Sequence, residues 1–436
     1  MFDANNPYLL IIAISLVIIL SFFFNIIAQR TNIPSVLLLI GLGIGIKALL
    51  DMNTDVSDEL ELHGLLNVLG NVGLVMIVLE AALDLKMERQ KTGLILRSLV
   101  TALLGIGGSM FGLATFFLYI FPSTDLYTAI VYAIPLSIMS SAIIIPSVGQ
   151  LTGRKREYVV YESTFSDILG IMIFYFMIGS DGGAGQGSIL WEVVLNIGMT
   201  IVISVVVAYG LVYLFQHLVM QVKLFLVIGV LLLLFAIGKF FHLSSLLIIL
   251  AFGLVLNNTE VFFPGRFSRF FDVEKVKPIL HDFHNLTLES AFLIRTFFFV
   301  IFGMSITLAS LANWEVAVNS FAIVAILYLV RFVSLRLFAK DFLFPELFIA
   351  PRGLITVLLF FVLMESDLKI EAFDVGLLLY PILITSIIMM IALISYKGDK
   401  VKDVLFHKVP LIKTEDNEEF DKRIQENTER HDFDGF

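Results

Sequence analysis

An apolar run of helix length, YESTFSDILGIMIFYFM from Tyr161 to Met177, carries two carboxylates, Glu162 and Asp167, with Ser163, Thr164 and Ser166 around them. Carboxylates can carry protons, and together with hydroxyls they supply oxygen ligands that suit a hard cation. A charged side chain at the centre of a bilayer costs roughly 2.5 to 3.5 kcal/mol even on insertion scales, so such residues face a bundle interior and mark ion or proton pathways. Three further charges lie inside apolar runs: Glu80 in NVLGNVGLVMIVLEAALDLK, Arg295 in LESAFLIRTFFFVIFGMSI and Arg352 in FIAPRGLITVLLFFVLM. Buried ions need partners, and two arginines hold only two of the three carboxylates ionised. One carboxylate is left over to carry a proton or a cation, and counting does not say which. Asp84, Lys47, Arg97 and Arg331 lie nearer the ends of their runs and read as structural charges that snorkel or pair with loops.

The elements that must position these residues are transmembrane helices. Hydrophobic residues make up 58% of the chain, charged residues only 15%, and the mean hydropathy is +0.94, which excludes an ordinary soluble domain. The absence of Cys excludes disulfides and thiolate metal sites. Windows of about twenty residues give thirteen spans, at roughly 8–27, 33–50, 66–85, 94–119, 128–149, 159–180, 193–216, 222–241, 244–258, 286–308, 316–335, 347–364 and 377–396. The first lacks the flanks of a cleaved signal and reads as a retained helix. Residues 1–396 are expected to form the transmembrane domain and 397–436 a polar tail.

The connections after odd-numbered spans hold fourteen Lys and Arg, including Arg154, Lys155 and Arg156, whereas those after even-numbered spans hold two, Lys239 and Lys369. The positive-inside rule therefore places the amino terminus outside and the tail, with Lys397, Lys400 and Lys402, in the cytoplasm of a cell-membrane protein.

Two spans are interrupted. Span 5, TAIVYAIPLSIMSSAIIIPSVG, has Pro135 and Pro146 bracketing Ser137, Ser140 and Ser141, and span 12 has Pro351 and Gly353 flanking Arg352, followed by Thr356. Proline removes a helix hydrogen bond and frees carbonyls, although the serines of span 5 can equally bond back to their own helix. Interruptions at corresponding places in two halves point to inverted repeats with a site near the midplane. Spans 1–6 then repeat as spans 8–13, span 7 is the linker, and the two broken helices cross. The fold class is an all-α polytopic membrane protein with inverted repeats. The glycines of GLGIGIK, Gly41 to Lys47, suit close approach by another backbone.

Taken together these motifs resemble the monovalent cation:proton antiporters over nearly all thirteen spans. Glu162, Ser163, Ser166 and Asp167 occupy the Glu-Ser-x-x-Asn-Asp motif of NhaP-type sodium/proton exchangers, with Ser in place of Asn. APRGLIT around Arg352 and VLEAALDLK around Glu80 match the same branch, whereas MSSAII in span 5 is more similar to the Kef-type potassium/proton branch. The resemblance implies an NhaA/NhaP-like fold. In it a core domain, here parts of residues 66–180 and 286–396, moves against a domain of linker and dimerisation spans in a homodimer. It implies that Asp167 binds a proton or a cation in turn, with Ser163, Ser166, Glu80, Ser140 and Ser141 around the ion. It also implies that Glu162 pairs structurally with Arg352, while Arg295 compensates charge.

The expected function is exchange of Na⁺ and/or K⁺ for H⁺ by alternating access, electroneutral because Ser166 cannot ionise, in the service of pH homeostasis. The expected partners are the ions, membrane lipid and a second copy of the chain, with no cofactor, resident metal or nucleic acid. Alternatives are an electrogenic antiporter of the Kef/NapA type and a cation channel using the same carboxylate as a selectivity element. An enzyme using Glu162 and Asp167 as an acid/base pair is disfavoured, since the seven His are scattered and form no ligand cluster.

Overall fold

Helix occupies each of the thirteen expected spans in a computed structural model of the chain. Residues 7–31, 35–53, 62–85, 91–151, 153–179, 202–213, 223–240, 245–258, 262, 273–305, 313–339, 343–364, 366, 368, 370 and 372–396 are described. The helices are α1 (Pro7–Thr31), α2 (Ser35–Asn53), α3 (Leu62–Asp84), α4 (Thr92–Ile120), α5 (Leu126–Ser137), α6 (Ser141–Ser147) and α7 (Gly153–Gly179) in the first half. They continue as α8 (Val202–Tyr213), α9 (Lys223–Phe240), α10 (Ser245–Asn257), α11 (Val273–Ser305), α12 (Trp314–Phe338), α13 (Leu354–Met364) and α14 (Gly376–Ser395). Span 5 is thus supplied by α5 and α6 together, and no strand occurs among the described residues. The chain divides into a unit from Met1 to Tyr396 and another from Lys397 to Phe436. The tail, with Lys397, Lys400 and Lys402, and six of the sixteen basic residues counted in the connections, Lys86, Arg89, Arg266, Arg269, Lys340 and Lys369, lie outside the described residues.

Two helices start earlier than the apolar pattern suggests. α7 begins at Gly153 and α11 at Val273, each with a polar opening, GRKREY and VEKVKPILHDFHN. Hydropathy windows register the apolar stretch and are blind to helical turns that continue beyond it into charged sequence. Outside the spans, Asp125 caps α5 by accepting from the Tyr127 and Thr128 N–H groups at 3.0 and 3.2 Å. The Thr128 hydroxyl, which donates to the same carboxylate at 2.6 Å, holds it below the usual aspartate range.

The packing repeats with a shift of seven spans. Span 2 (α2) lies against span 10 (α11), and its counterpart, span 9 (α10), lies against span 3 (α3). Spans 1 and 2 pair as spans 8 and 9 do, and spans 4 and 6 pair as spans 11 and 13 do. Because seven is odd, equivalent helices cross the membrane in opposite directions, and the repeat is inverted.

Span 12 breaks as span 5 does. Residues 349–353 are non-helical between a short turn of helix, Glu346–Phe348, and α13. The two breaks touch, backbone to backbone: the Ser140 N–H donates to the Pro351 carbonyl at 2.9 Å. Glycine is required at position 353 because a Cβ there would fall 2.6 Å from the Ser140 Oγ and 2.9 Å from its Cβ. A second close contact joins α2 to α11. A Cβ on Gly43 would lie 2.9 Å from the Gly303 Cα and strike the Val300 carbonyl, while one on Gly303 would strike the Ile40 carbonyl. Of the three glycines in GLGIGIK, Gly43 alone mediates close approach, since Gly41 and Gly45 face open space.

Overpacking a close contact costs about 1 to 3 kcal/mol. Gly43→Ala and Gly303→Ala are therefore expected to lower the melting temperature of the detergent-solubilised protein, and Gly45→Ala to melt with wild type.

Candidate ion-binding site

Residues four apart share a helix face, so α7 presents two distinct polar faces near its middle. One carries Glu162 and Ser166, the other Ser163 and Asp167. All four are buried, Asp167 to 2% exposure.

Glu162 faces α12. The Arg331 guanidinium grips it with two hydrogen bonds, Nη1 to Oε1 at 2.9 Å and Nη2 to Oε2 at 3.2 Å. This bidentate fork is among the strongest polar contacts available to a buried carboxylate. The remaining donors of Arg331 are also used, Nη2 on the Glu346 carbonyl at 2.7 Å and Nε on the Glu346 and Leu347 carbonyls. The expected Glu162–Arg352 pair is therefore corrected: the partner of Glu162 is Arg331, and Arg331 is a buried interior charge, not a snorkelling one.

Arg352 has different work because it lies in the broken segment itself. Its Nε donates to the Leu136 carbonyl at 2.8 Å and its Nη1 to the Ala350 carbonyl at 2.6 Å. A helix end leaves four carbonyls without intrahelical partners. Arg352 thus takes one carbonyl freed at the end of α5 and another from its own broken span, and its backbone N–H is accepted by Thr385 Oγ1 at 3.1 Å. The freed carbonyl expected in span 5 exists, and a guanidinium, not a cation ligand site, uses it. Ser137 and Ser147 bond back to the carbonyls of Ala133 and Ile143, the alternative left open for the serines of this span.

Asp167 has no ionic partner among the described residues. Its Oδ2 accepts the Ser141 N–H at 3.0 Å, at the first turn of α6, and its Oδ1 finds no hydrogen-bond partner. Ser166 accepts the Met139 N–H at 3.0 Å, so both neighbours on α7 hold backbone donors exposed by the break in span 5. The Ser163 hydroxyl donates to the Val160 carbonyl at 3.1 Å, and Ser163 lies four residues from Asp167 on the same face of α7. Ser140 Oγ is buried without a partner beside Gly353. Ser141 contributes through its backbone.

A cavity of about 230 Å³ lies in front of Ser141, lined also by Glu80, Asp84, Arg295, Thr296, Asn25 and Ser35. Glu80 and Arg295 meet there at 2.7 Å, which gives Arg295 the interhelical partner it needs. Asp84, one turn along, is paired with His284 at 2.8 Å. The lining comes from the ends of α1 and α3, from the beginning of α2, from α6, and from the stretch of α11 from Leu288 to Thr296, where span 10 begins. The cavity therefore lies on the side of the molecule reached by the connections after odd-numbered spans, the basic side. On the opposite face of α7, Glu162, Ser166, Arg331 and Arg352 line a separate void of about 20 Å³.

Arg331, His284 and Glu346 were not singled out in the sequence as site residues. A signal existed for Arg331, which lies seven residues before the end of α12, a depth that counted for Glu80 and was read there as snorkelling. Glu346, wholly buried and 3.6 Å from Lys155, sits in a segment with no helical or strand pattern to mark it.

Two interrupted helices crossing in an inverted repeat, with an unpaired carboxylate against the crossing, define a secondary transporter for small ions. The sequence places the chain more narrowly: the model of the transmembrane sodium/hydrogen exchangers matches residues 14–395, and the chain belongs to that family. By class it is a multi-pass membrane cation/proton antiporter. Among solved structures, two of the sodium proton antiporter MjNhaP1 from Methanocaldococcus jannaschii are similar to it, one at pH 8 and one from electron microscopy. Each is 19% identical with a TM-score of 0.65, and they cover 89% and 90% of this chain and 96% of theirs. At that identity the likeness concerns the fold. No curated protein matches the sequence at a significant level.

Removing one partner of a buried ion pair costs about 3 to 5 kcal/mol because the other charge is stranded. Arg331→Ala should therefore destabilise strongly, and a double-mutant cycle of Glu162→Gln with Arg331→Ala should show large coupling in thermal melts. The same cycle with Arg352→Ala should show little, and the reverse ordering would refute the assignment.

Proposed function

We propose that the protein exchanges a monovalent cation, Na⁺ and/or K⁺, for one H⁺ by alternating access, with Asp167 holding the proton or the cation in turn. The observation that carries this reading is that Asp167 is the one deep carboxylate of three left without a guanidinium. Glu162 is held by Arg331 and Glu80 by Arg295, and each guanidinium favours the ionised form of its carboxylate. Asp167 has one backbone N–H and one free oxygen, with Ser163 and the uncommitted hydroxyl of Ser140 nearby. That set suits a partly dehydrated monovalent cation, and the same oxygen accepts a proton when the cation leaves.

Alternating access is supported by the large cavity, which approaches Ser141 from the basic side. With that side cytoplasmic, the amino terminus is outside, the tail is inside, and the structure is the inward-facing state. The broad apolar surface of α1, with Tyr8, Ile11, Ile12, Phe22 and Phe23 exposed, is suited to lipid and to a homodimer partner in the cell membrane. Proton exchange against cations places the protein in pH and cation homeostasis.

Asp167→Asn is expected to abolish exchange and leave a folded protein, because an amide neither takes up nor releases a proton. The assay is dissipation of a pH gradient in proteoliposomes on adding Na⁺ or K⁺. Conductance without proton movement in the wild-type protein would instead identify a channel.

Electroneutral exchange follows from one titrating carboxylate, a serine at position 166 and an arginine already engaged with Glu80. Each net charge moved contributes about 2.3 kcal/mol per 100 mV. With the membrane potential clamped by an ionophore for an untransported ion, the reversal point should stay fixed as voltage is varied. A shift would show electrogenic exchange and direct attention to Glu80.

A further inference from the structure

Two cation–carboxylate rungs join α3 to α11 along the large cavity. The inner rung is Glu80–Arg295 at 2.7 Å and the outer is Asp84–His284 at 2.8 Å. Glu80 and Asp84 share one face of α3, four residues apart, and both line the cavity. The inner rung is permanent at any physiological pH because an arginine keeps its proton. The outer rung is not, since its cation is an imidazole. Both of its members are partly exposed, 29% for His284 and 24% for Asp84, and Asp84 lines the cavity, so the rung touches that space through its carboxylate. The charged groups facing His284 among the described residues are Asp84 and, farther in, Glu80, both from α3. Among residues whose side chains are described, its own helix carries His281, Asp282, Glu289 and Arg295, while the polar residues that α1 and α2 bring to this space are the uncharged Asn25 and Ser35. The cavity is also wet by chemistry, since Thr296 lines it and its buried hydroxyl has no protein partner among the described residues.

We propose that Asp84 is an affinity-determining residue of the exchanger, a charge that concentrates monovalent cations at the cavity mouth, and that His284 meters it by cancelling that charge when protonated. The charge count makes the effect definite. With imidazolium present the four groups sum to zero; with neutral imidazole they sum to −1, in a recess with low-dielectric walls that focus the field. Asp84 acts here through its field, some distance before the ion reaches Asp167. Acidification on the cavity side then weakens cation capture separately from the competition of protons for Asp167, and alkalinisation restores it. The inference rests on the antiporter reading above.

The test compares KM and kcat for Na⁺ and K⁺ in wild type, His284→Gln, His284→Arg and Asp84→Asn, in vesicles that expose the cavity side to the assay medium. Measurements are made at about pH 6 and about pH 8.5, on either side of the ordinary imidazole value of about 6.5. Proton competition at Asp167 is common to all variants, so the informative quantity is each variant's KM relative to wild type at the same pH. His284→Gln should lower KM about three- to tenfold at the acid pH and match wild type at the alkaline one. His284→Arg should do the opposite, raising KM at the alkaline pH and leaving it unchanged at the acid one. Asp84→Asn should raise KM at alkaline pH, and adding His284→Gln to it should change nothing further. Equal KM ratios at both pH values, or changes confined to kcat, would overturn the proposal. Failure of wild type to exchange at all would instead overturn the antiporter reading.

Discussion

Backbone hydrogen bonding is the constraint on which this structure depends. In hydrocarbon every N–H and C=O needs a partner inside the protein, and irregular backbone is tolerated only where protein supplies them. This chain breaks two helices at the same depth and lets the breaks satisfy one another, through the Ser140 N–H on the Pro351 carbonyl. What the breaks leave open is closed by side chains: Arg352 on Leu136 and Ala350, Ser166 on Met139, Thr385 on Arg352, Asp167 on Ser141. The residues that repair the backbone are therefore in large part those that surround the ion. A break without these partners would be too costly to keep, and without the break there would be no backbone donor aimed at Asp167.

The distribution of arginines follows the same economy. Among the described residues three guanidiniums are buried or nearly so, and each is committed: Arg331 to Glu162, Arg295 to Glu80, Arg352 to carbonyl oxygens. The first two neutralise a carboxylate in place and tie helices of the two repeats together, α7 to α12 and α3 to α11. The third spends its charge on backbone dipoles. Had Arg352 closed on Glu162, Arg331 would have been left as a buried cation, and Leu136 O would have lost its donor. Asp167 remains as the carboxylate whose protonation state no fixed cation dictates, which is the property an exchange site needs.

Much of the architecture was legible in the sequence. The thirteen spans, the unequal loops and the two interruptions depend on local properties, namely apolar length, lysine and arginine placement, and proline or glycine within a run. The seven-span offset between interruptions was enough to anticipate inverted repeats and a crossing, because direction across a bilayer is set by counting. Gly43 was visible as one of three glycines, but which of them touches α11 depends on the rotation of α2. That rotation is not legible in a helix apolar on nearly every side.

The pairings were decided by tertiary structure alone. Glu162 and Arg331 are 169 residues apart in the chain, Glu80 and Arg295 are 215 apart, and Asp84 and His284 are 200 apart. Sequence shows which charges lie deep in the membrane and that they must be compensated. It does not show which helices are neighbours at a given depth, and an arginine reaches far enough to choose among several carboxylates. Composition and spacing therefore determined that one carboxylate would be left without a cation. Only the tertiary placement of α7 determined that it is Asp167, because it lets Arg331 reach one face of α7 from α12 and sets a backbone N–H of α6 against the other.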